Sequence, residues 1–181
     1  MKSQKEVIMA RFGYARMGCL ATALLALNGC SDCASTTGEE ALKNASTQIA
    51  PAWEGLKDGA VENWDLKAAD TSTYDSCAQL SWIVIPTGKP GEDSPYNIAL
   101  FHNGVFSGTA EARPYLGEPK ISRVSDTEIQ IKRTWYLDEK RSQPKPAVAT
   151  YKWDDSTSRT VRTGSLPPNE FAAGGPVPTA E

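Results

Sequence analysis

Cys30 ends the sequence Leu27-Asn28-Gly29-Cys30, behind a short apolar run and a basic N-terminus. A cysteine so placed reads as a lipobox residue. Its sulfur takes a diacylglycerol as a thioether, and the chain is cut just before it. Lys2, Lys5, Arg11 and Arg16 face the single acid Glu6 ahead of the apolar run Met17 to Leu27. That run falls short of the ~20 apolar residues of a membrane-spanning helix but suits a signal peptide. Gly29 supplies the small residue before the cut. Asn28 is less usual at its position than Ala or Ser, so an uncleaved anchor or plain secretion stays open. Each buried methylene contributes about 0.8 kcal/mol, and one acyl chain holds a protein only marginally. A diacylglycerol holds it durably.

Cys30-Ser31-Asp32-Cys33 also spells C-x-x-C, which elsewhere suggests a redox pair or half a zinc site. That reading fails if Cys30 is a thioether, and Cys19 is discarded with the leader. Cys33 and Cys77 then remain, and an even pair outside the membrane is most simply a disulfide, with two free thiols as the alternative. The bridge brings the folded domain to within three residues of the lipid.

Other candidates for chemistry are sparse. His102 is the only histidine. A general base needs a nucleophile and an orienting carboxylate. Ser107 lies within reach across the expected hairpin, but nothing marks it as activated, and no G-x-S-x-G elbow exists. The plain reading of His102 is a hydrogen-bonded hairpin residue. Asp154-Asp155 and Glu92-Asp93 are adjacent acids, whose side chains usually point apart, whereas glycosidase pairs need a set separation across a cleft. Calcium-ligand spacing is absent, and zinc needs more His or Cys than remain. Lys89-Pro90-Gly91 lacks Walker spacing and reads as a turn. No catalytic residue, metal or cofactor is therefore expected.

The elements that must position these residues follow from periodicity. Thr37 and Glu40 have capping-box spacing, and Leu42, Ala45 and Ile49 share one helical face. Pro51 ends that series near Ile49, with Trp53 packing from the turn beyond. Residues 55–76 read as irregular, covering one edge of the fold. From Cys77 the period becomes two. Strands are expected at Leu80 to Ile85, apolar on both faces, and at Tyr96 to Phe101. Asn103-Gly104 then marks a type I′ hairpin turn into Val105 to Thr109, setting Phe101 opposite Phe106. Further strands are read at Ile121 to Val124, Thr127 to Tyr136, Ala147 to Trp153 and Arg159 to Thr163. Pro167 closes the fold, and residues 170–181 read as a disordered tail. The expected class is α+β: an N-terminal helix packed on an antiparallel meander of about six strands, with a small, partly open β-barrel as the rival.

Charge and aromatic content narrow the partners. The whole chain carries a net charge of −3, and removal of the leader makes it more acidic, opposite in sign to a nucleic-acid binder. Lys132, Arg133, Lys140, Arg141, Lys145, Arg159 and Arg162 make the later strands basic, as a partner-facing surface or as ordinary strand-edge charge. Trp82, Trp135, Trp153, Tyr96 and Tyr151 fall on strands, where core packing is their usual use and a ligand-binding stripe the alternative.

Several segments together resemble the LppP/LprE lipoprotein family of actinobacteria. They are Tyr74-Asp75-Ser76-Cys77-Ala78-Gln79-Leu80-Ser81-Trp82, Ser94-Pro95-Tyr96 running to Leu100-Phe101-His102-Asn103-Gly104, and Gly108-Thr109-Ala110. Val124-Ser125-Asp126 and Lys152-Trp153-Asp154 complete the set. The likeness spans roughly Ala41 to Pro168 and implies an exported lipoprotein of an envelope. It supplies no catalytic residues to carry over.

The expected organisation is a signal peptide at 1–29, a lipidated tether at 30–38, an LppP/LprE-like domain at 39–169 and a tail at 170–181. The expected role is a lipid-anchored protein on the outer face of the plasma membrane, working as a binding or interaction module. An envelope protein, glycan or lipid is the partner class. A carrier or sensor of a small apolar or glycan ligand held between helix and sheet is the second reading, and a hydrolase using His102 the third.

Overall fold

A computed structural model describes residues 33, 35–52, 63–88, 91, 94–137 and 142–168. Cys30, the leader, Trp53, Lys89-Pro90, Glu92-Asp93, Lys140-Arg141 and the tail lie outside the described residues.

Helix α1 spans Gly38–Ala45 and continues as a 3₁₀ turn, Ser46–Gln48. The capping box is made: Thr37 Oγ1 accepts from the Glu40 amide, and the Glu40 carboxylate accepts from the Thr37 amide, each at 3.2 Å. Two orphan donors of the first turn are thereby satisfied. Ala41, Leu42, Ala45 and Ile49 are buried.

Among the described residues eight strands follow: β1 Ser81–Pro86, β2 Pro95–His102, β3 Val105–Thr109, β4 Tyr115–Leu116, β5 Lys120–Ser125, β6 Glu128–Tyr136, β7 Pro144–Asp154 and β8 Arg159–Gly164. All pairings are antiparallel. One sheet has the order β1-β2-β3, with β4 paired to the start of β2, and the other is β5-β6-β7-β8. The expected single meander of about six strands is thus corrected to two open sheets. The break falls at residues 110–119, which hold no two-residue hairpin signal, so β3 and β5 do not pair. The barrel rival falls with it, because the sheets do not close on each other. β4 is only two residues long, too short to show a period.

The layers explain why β1 and β2 are apolar on both faces. Ile83, Ile85, Ala99 and Phe101 pack against the helix residues Ala41, Leu42, Ala45 and Ile49. Alternate residues Trp82, Ile98 and Leu100 pack against Ile129, Ile131, Ala149 and Tyr151 of the second sheet. The first sheet is therefore the middle layer of three. A fully buried side chain such as Leu42 or Ile83 contributes about 1.5–3 kcal/mol. These side chains form the helix–sheet interface.

Residues 63–76 run along the free edge of β1, as expected, bridging Trp64 to Thr87 and Asp70 to Val84. The hairpin turn forms as read: Asn103 and Gly104 have φ of 47° and 78°, and Phe101 pairs with Phe106, ring centroids 5.8 Å apart. β7 begins three residues earlier than its periodicity suggests, with Pro144 and Pro146 included. β8 pairs with β7 only from Ala149 onward, so these prolines lie where one edge is free and no ladder bond is lost.

Candidate functional site

One end of the molecule gathers Cys33, Cys77, His102, the Asn103-Gly104 turn and Asp154-Asp155. Cys33 and Cys77 are disulfide-bonded, with Cα atoms 5.1 Å apart. The loop holding Cys77 is tied into the β2–β3 turn. The Asn103 amide donates to the Ala78 carbonyl at 2.9 Å, and Tyr74 Oη donates to the Gly104 carbonyl at 3.2 Å. A Cβ at Gly104 would meet Ser76 at 3.2 Å, so glycine serves both the positive φ and the close approach.

His102 sits beside this turn with both ring nitrogens engaged. Nδ1 lies 2.5 Å from the Gln79 carbonyl and Nε2 lies 2.9 Å from Asn103 Nδ2. A carbonyl only accepts, so Nδ1 carries the proton and Nε2 accepts from the amide. The ring stacks on Trp153 at 3.7 Å between centroids, with planes 8° apart. Ser107 donates to the Leu100 carbonyl at 3.2 Å instead of meeting His102. His102 therefore joins the middle sheet to the outer one, and nothing places a nucleophile on it.

The acids of the β7–β8 turn also point apart, as their adjacency suggests. The Asp154 carboxylate accepts from the Ser156 amide, the Ser156 hydroxyl and the Thr157 hydroxyl at 2.9, 2.7 and 2.8 Å. These bonds, the Ser156 hydroxyl first, hold its pKa below the ordinary carboxylate value. Asp155 accepts from Trp153 Nε1 at 2.8 Å. Among the described residues, no group of three or more His, Cys, Asp or Glu side chains converges on a metal-sized site.

Among the described residues, open grooves flank this end. The first, about 590 Å³, runs between the start of α1 and the 72–76 loop, and is lined by Thr36, Thr37, Ser72, Ser76, Trp82 and Arg123 among others. The Arg123 guanidinium lies 5.1 Å from the Trp82 ring centre and donates to the Leu80 carbonyl at 2.8 Å. The second, about 510 Å³, lies on the second sheet beside Glu128, Lys152, Asp155 and Val161. Both linings are rich in hydroxyls and charges, chemistry suited to polar groups.

The opposite end holds a feature the sequence reading missed. Arg133 is corrected from the basic surface to the interior: it is 3% exposed and bonds Glu111 through two parallel contacts of 2.9 and 2.7 Å. It also donates to the Gly117 carbonyl at 3.1 Å and lies over the Tyr115 ring. Lys132, Lys145, Arg159 and Arg162 remain exposed. Trp82, Tyr96 and Tyr151 are buried and Trp135 and Trp153 half-buried, in line with core packing rather than an exposed stripe.

Beside the ion pair, the buried Tyr151 hydroxyl has no partner. Burial, then the Glu111 charge, pushes its pKa well above the ordinary value. A buried hydroxyl without a partner costs about 1–3 kcal/mol. Tyr151→Phe is therefore expected to raise the midpoint of urea unfolding. A clear fall would show that the hydroxyl is bonded in solution.

The LppP/LprE lipoprotein family model matches residues 72–156. The match runs from Ser72 through Cys77 and strands β1 to β7, ends within the β7–β8 turn, and leaves out α1, Cys33 and β8. No curated protein and no solved structure matches the chain.

Proposed function

We propose, since residues 72–156 belong to the LppP/LprE lipoprotein family, that this protein is a lipid-anchored envelope protein serving as a non-catalytic binding module. The family match carries the anchored half of this reading. It agrees with the lipobox that ends at Cys30, and the two together support an envelope location, which we read as the outer face of the plasma membrane. No helix among the described residues is long and apolar enough to cross a membrane.

The non-catalytic half is supported by His102. Both of its nitrogens serve fixed partners, and its ring serves Trp153. Binding is then the work of the surface grooves. Their linings favour a polar ligand, such as a glycan, over an apolar one.

A fatty-acid probe supplied to growing cells is expected to label the wild type and spare Cys30→Ala. Equal labelling of both would reject the anchor. The ligand reading is tested on protein taken from its own membrane. Native mass spectrometry that repeatedly finds no co-purifying glycan would reject it.

A further inference from the structure

We propose that the end of the domain carrying the disulfide loop and the β2–β3 turn rests on the membrane surface, with Val105 among the lipid headgroups. The orientation rests on lipid attachment at Cys30, and its first step is covalent arithmetic. Cys30 and Cys33 are three residues apart, and an extended chain spans at most ~3.6 Å per residue. The sulfur that carries the lipid therefore lies within roughly 11 Å, plus its own side chain, of the residue bridged to Cys77. A domain so closely held has little freedom to turn another face to the bilayer.

The elements around Cys77 define that face. The β2–β3 turn is bonded to it through Asn103 and Ala78, and the β5–β6 turn through the Leu80 amide and Asp126 carbonyl at 3.0 Å. The β7–β8 turn joins through the Trp153 amide and Thr127 carbonyl at 2.9 Å. All three turns thus lie at one end of the strands. Val105, directly after the Asn103-Gly104 turn, is 70% exposed, the most exposed of the large apolar side chains described. An apolar side chain at the tip of a tethered end suits the boundary between headgroups and acyl chains.

Charge does not drive this contact. Asp75, Asp126 and Asp155 are exposed on the same end and repel anionic lipid. The anchor supplies the driving force instead, by holding the tip at high effective concentration over the membrane. The other end, with β4 and Leu137, then points outward. β6 alone, nine residues at ~3.3 Å each, sets Leu137 roughly 30 Å from the turns.

The test uses the lipidated mature protein. With Cys30 in a thioether and Cys33 bonded to Cys77, Val105→Cys or Leu137→Cys gives the mature chain its single free thiol. Both positions are exposed, at 70% and 54%, so neither change disturbs the core. Each variant is labelled with a nitrobenzoxadiazole fluorophore and placed in phosphatidylcholine–phosphatidylglycerol vesicles containing headgroup-spin-labelled lipid.

Quenching several-fold stronger at 105 than at 137 is expected. Equal weak quenching in protein that floats with the vesicles overturns the orientation and leaves the anchor standing. Protein that does not float overturns both. A low-polarity signal at 105 that persists in detergent without quenching places Val105 against a second copy of the chain, and also overturns the orientation.

Discussion

Arg133→Ala should destabilise the domain by about 3–5 kcal/mol, because it strands the Glu111 carboxylate in the interior. Glu111 is 5% and Arg133 3% exposed, and two short hydrogen bonds join them. Glu111→Ala should cost as much in the reverse sense, leaving a guanidinium among Tyr96, Tyr115 and the Gly117 carbonyl. Replacing both, as Glu111→Leu with Arg133→Met, should cost far less than either alone. Apolar groups of similar volume remove the need to desolvate two charges. Urea unfolding of the four proteins, read by tryptophan fluorescence, checks this. A single variant within about 1 kcal/mol of wild type would mean that water reaches the pair and screens it. The size of the effect matters because a domain's whole stability is about 5–15 kcal/mol.

This pair also marks where the sequence stopped being legible. Along β6 the period of two sets Ile129 and Ile131 inward, and Arg133 has the same parity. A charged residue at a core position was the available signal, since it must find a buried partner. The partner, Glu111, lies 22 residues away on a loop with no periodicity, and no local pattern could name it. The stacking of His102 on Trp153 was hidden for the same reason, because the two belong to different sheets. Local features fared otherwise. The Thr37–Glu40 box, the Asn103-Gly104 turn and the two-sided apolar pattern of β1 are each set by neighbours a few residues apart. The Cys33–Cys77 bridge was legible in another way, by elimination once Cys30 was assigned to lipid. The split into two sheets was lost because residues 110–119 show only the absence of a hairpin signal.

Removing that bridge is the second large effect. Cys33→Ser, Cys77→Ser and the double variant should each cost about 4 kcal/mol, the chain-entropy value for a loop of this length. Cys77 is exposed and Cys33 half-buried, so little apolar burial is lost with either sulfur. The cost arises mainly in the unfolded chain, which regains the freedom of 44 residues that include all of α1. Equality among the three variants is therefore the diagnostic result, because each breaks the same loop. Unfolding midpoints in urea measure it. A double variant weaker than both singles by more than 1 kcal/mol would move the effect to local contacts of the side chains. The bridge and the Arg133–Glu111 pair sit at opposite ends of the domain and share no partner, so their costs should add within about 0.5 kcal/mol. Their sum, roughly 7–9 kcal/mol, lies within the 5–15 kcal/mol total expected of a domain this size. Cys77→Ser combined with Arg133→Ala should therefore lose most of the stability margin, and unfold at a urea concentration well below that of either single variant.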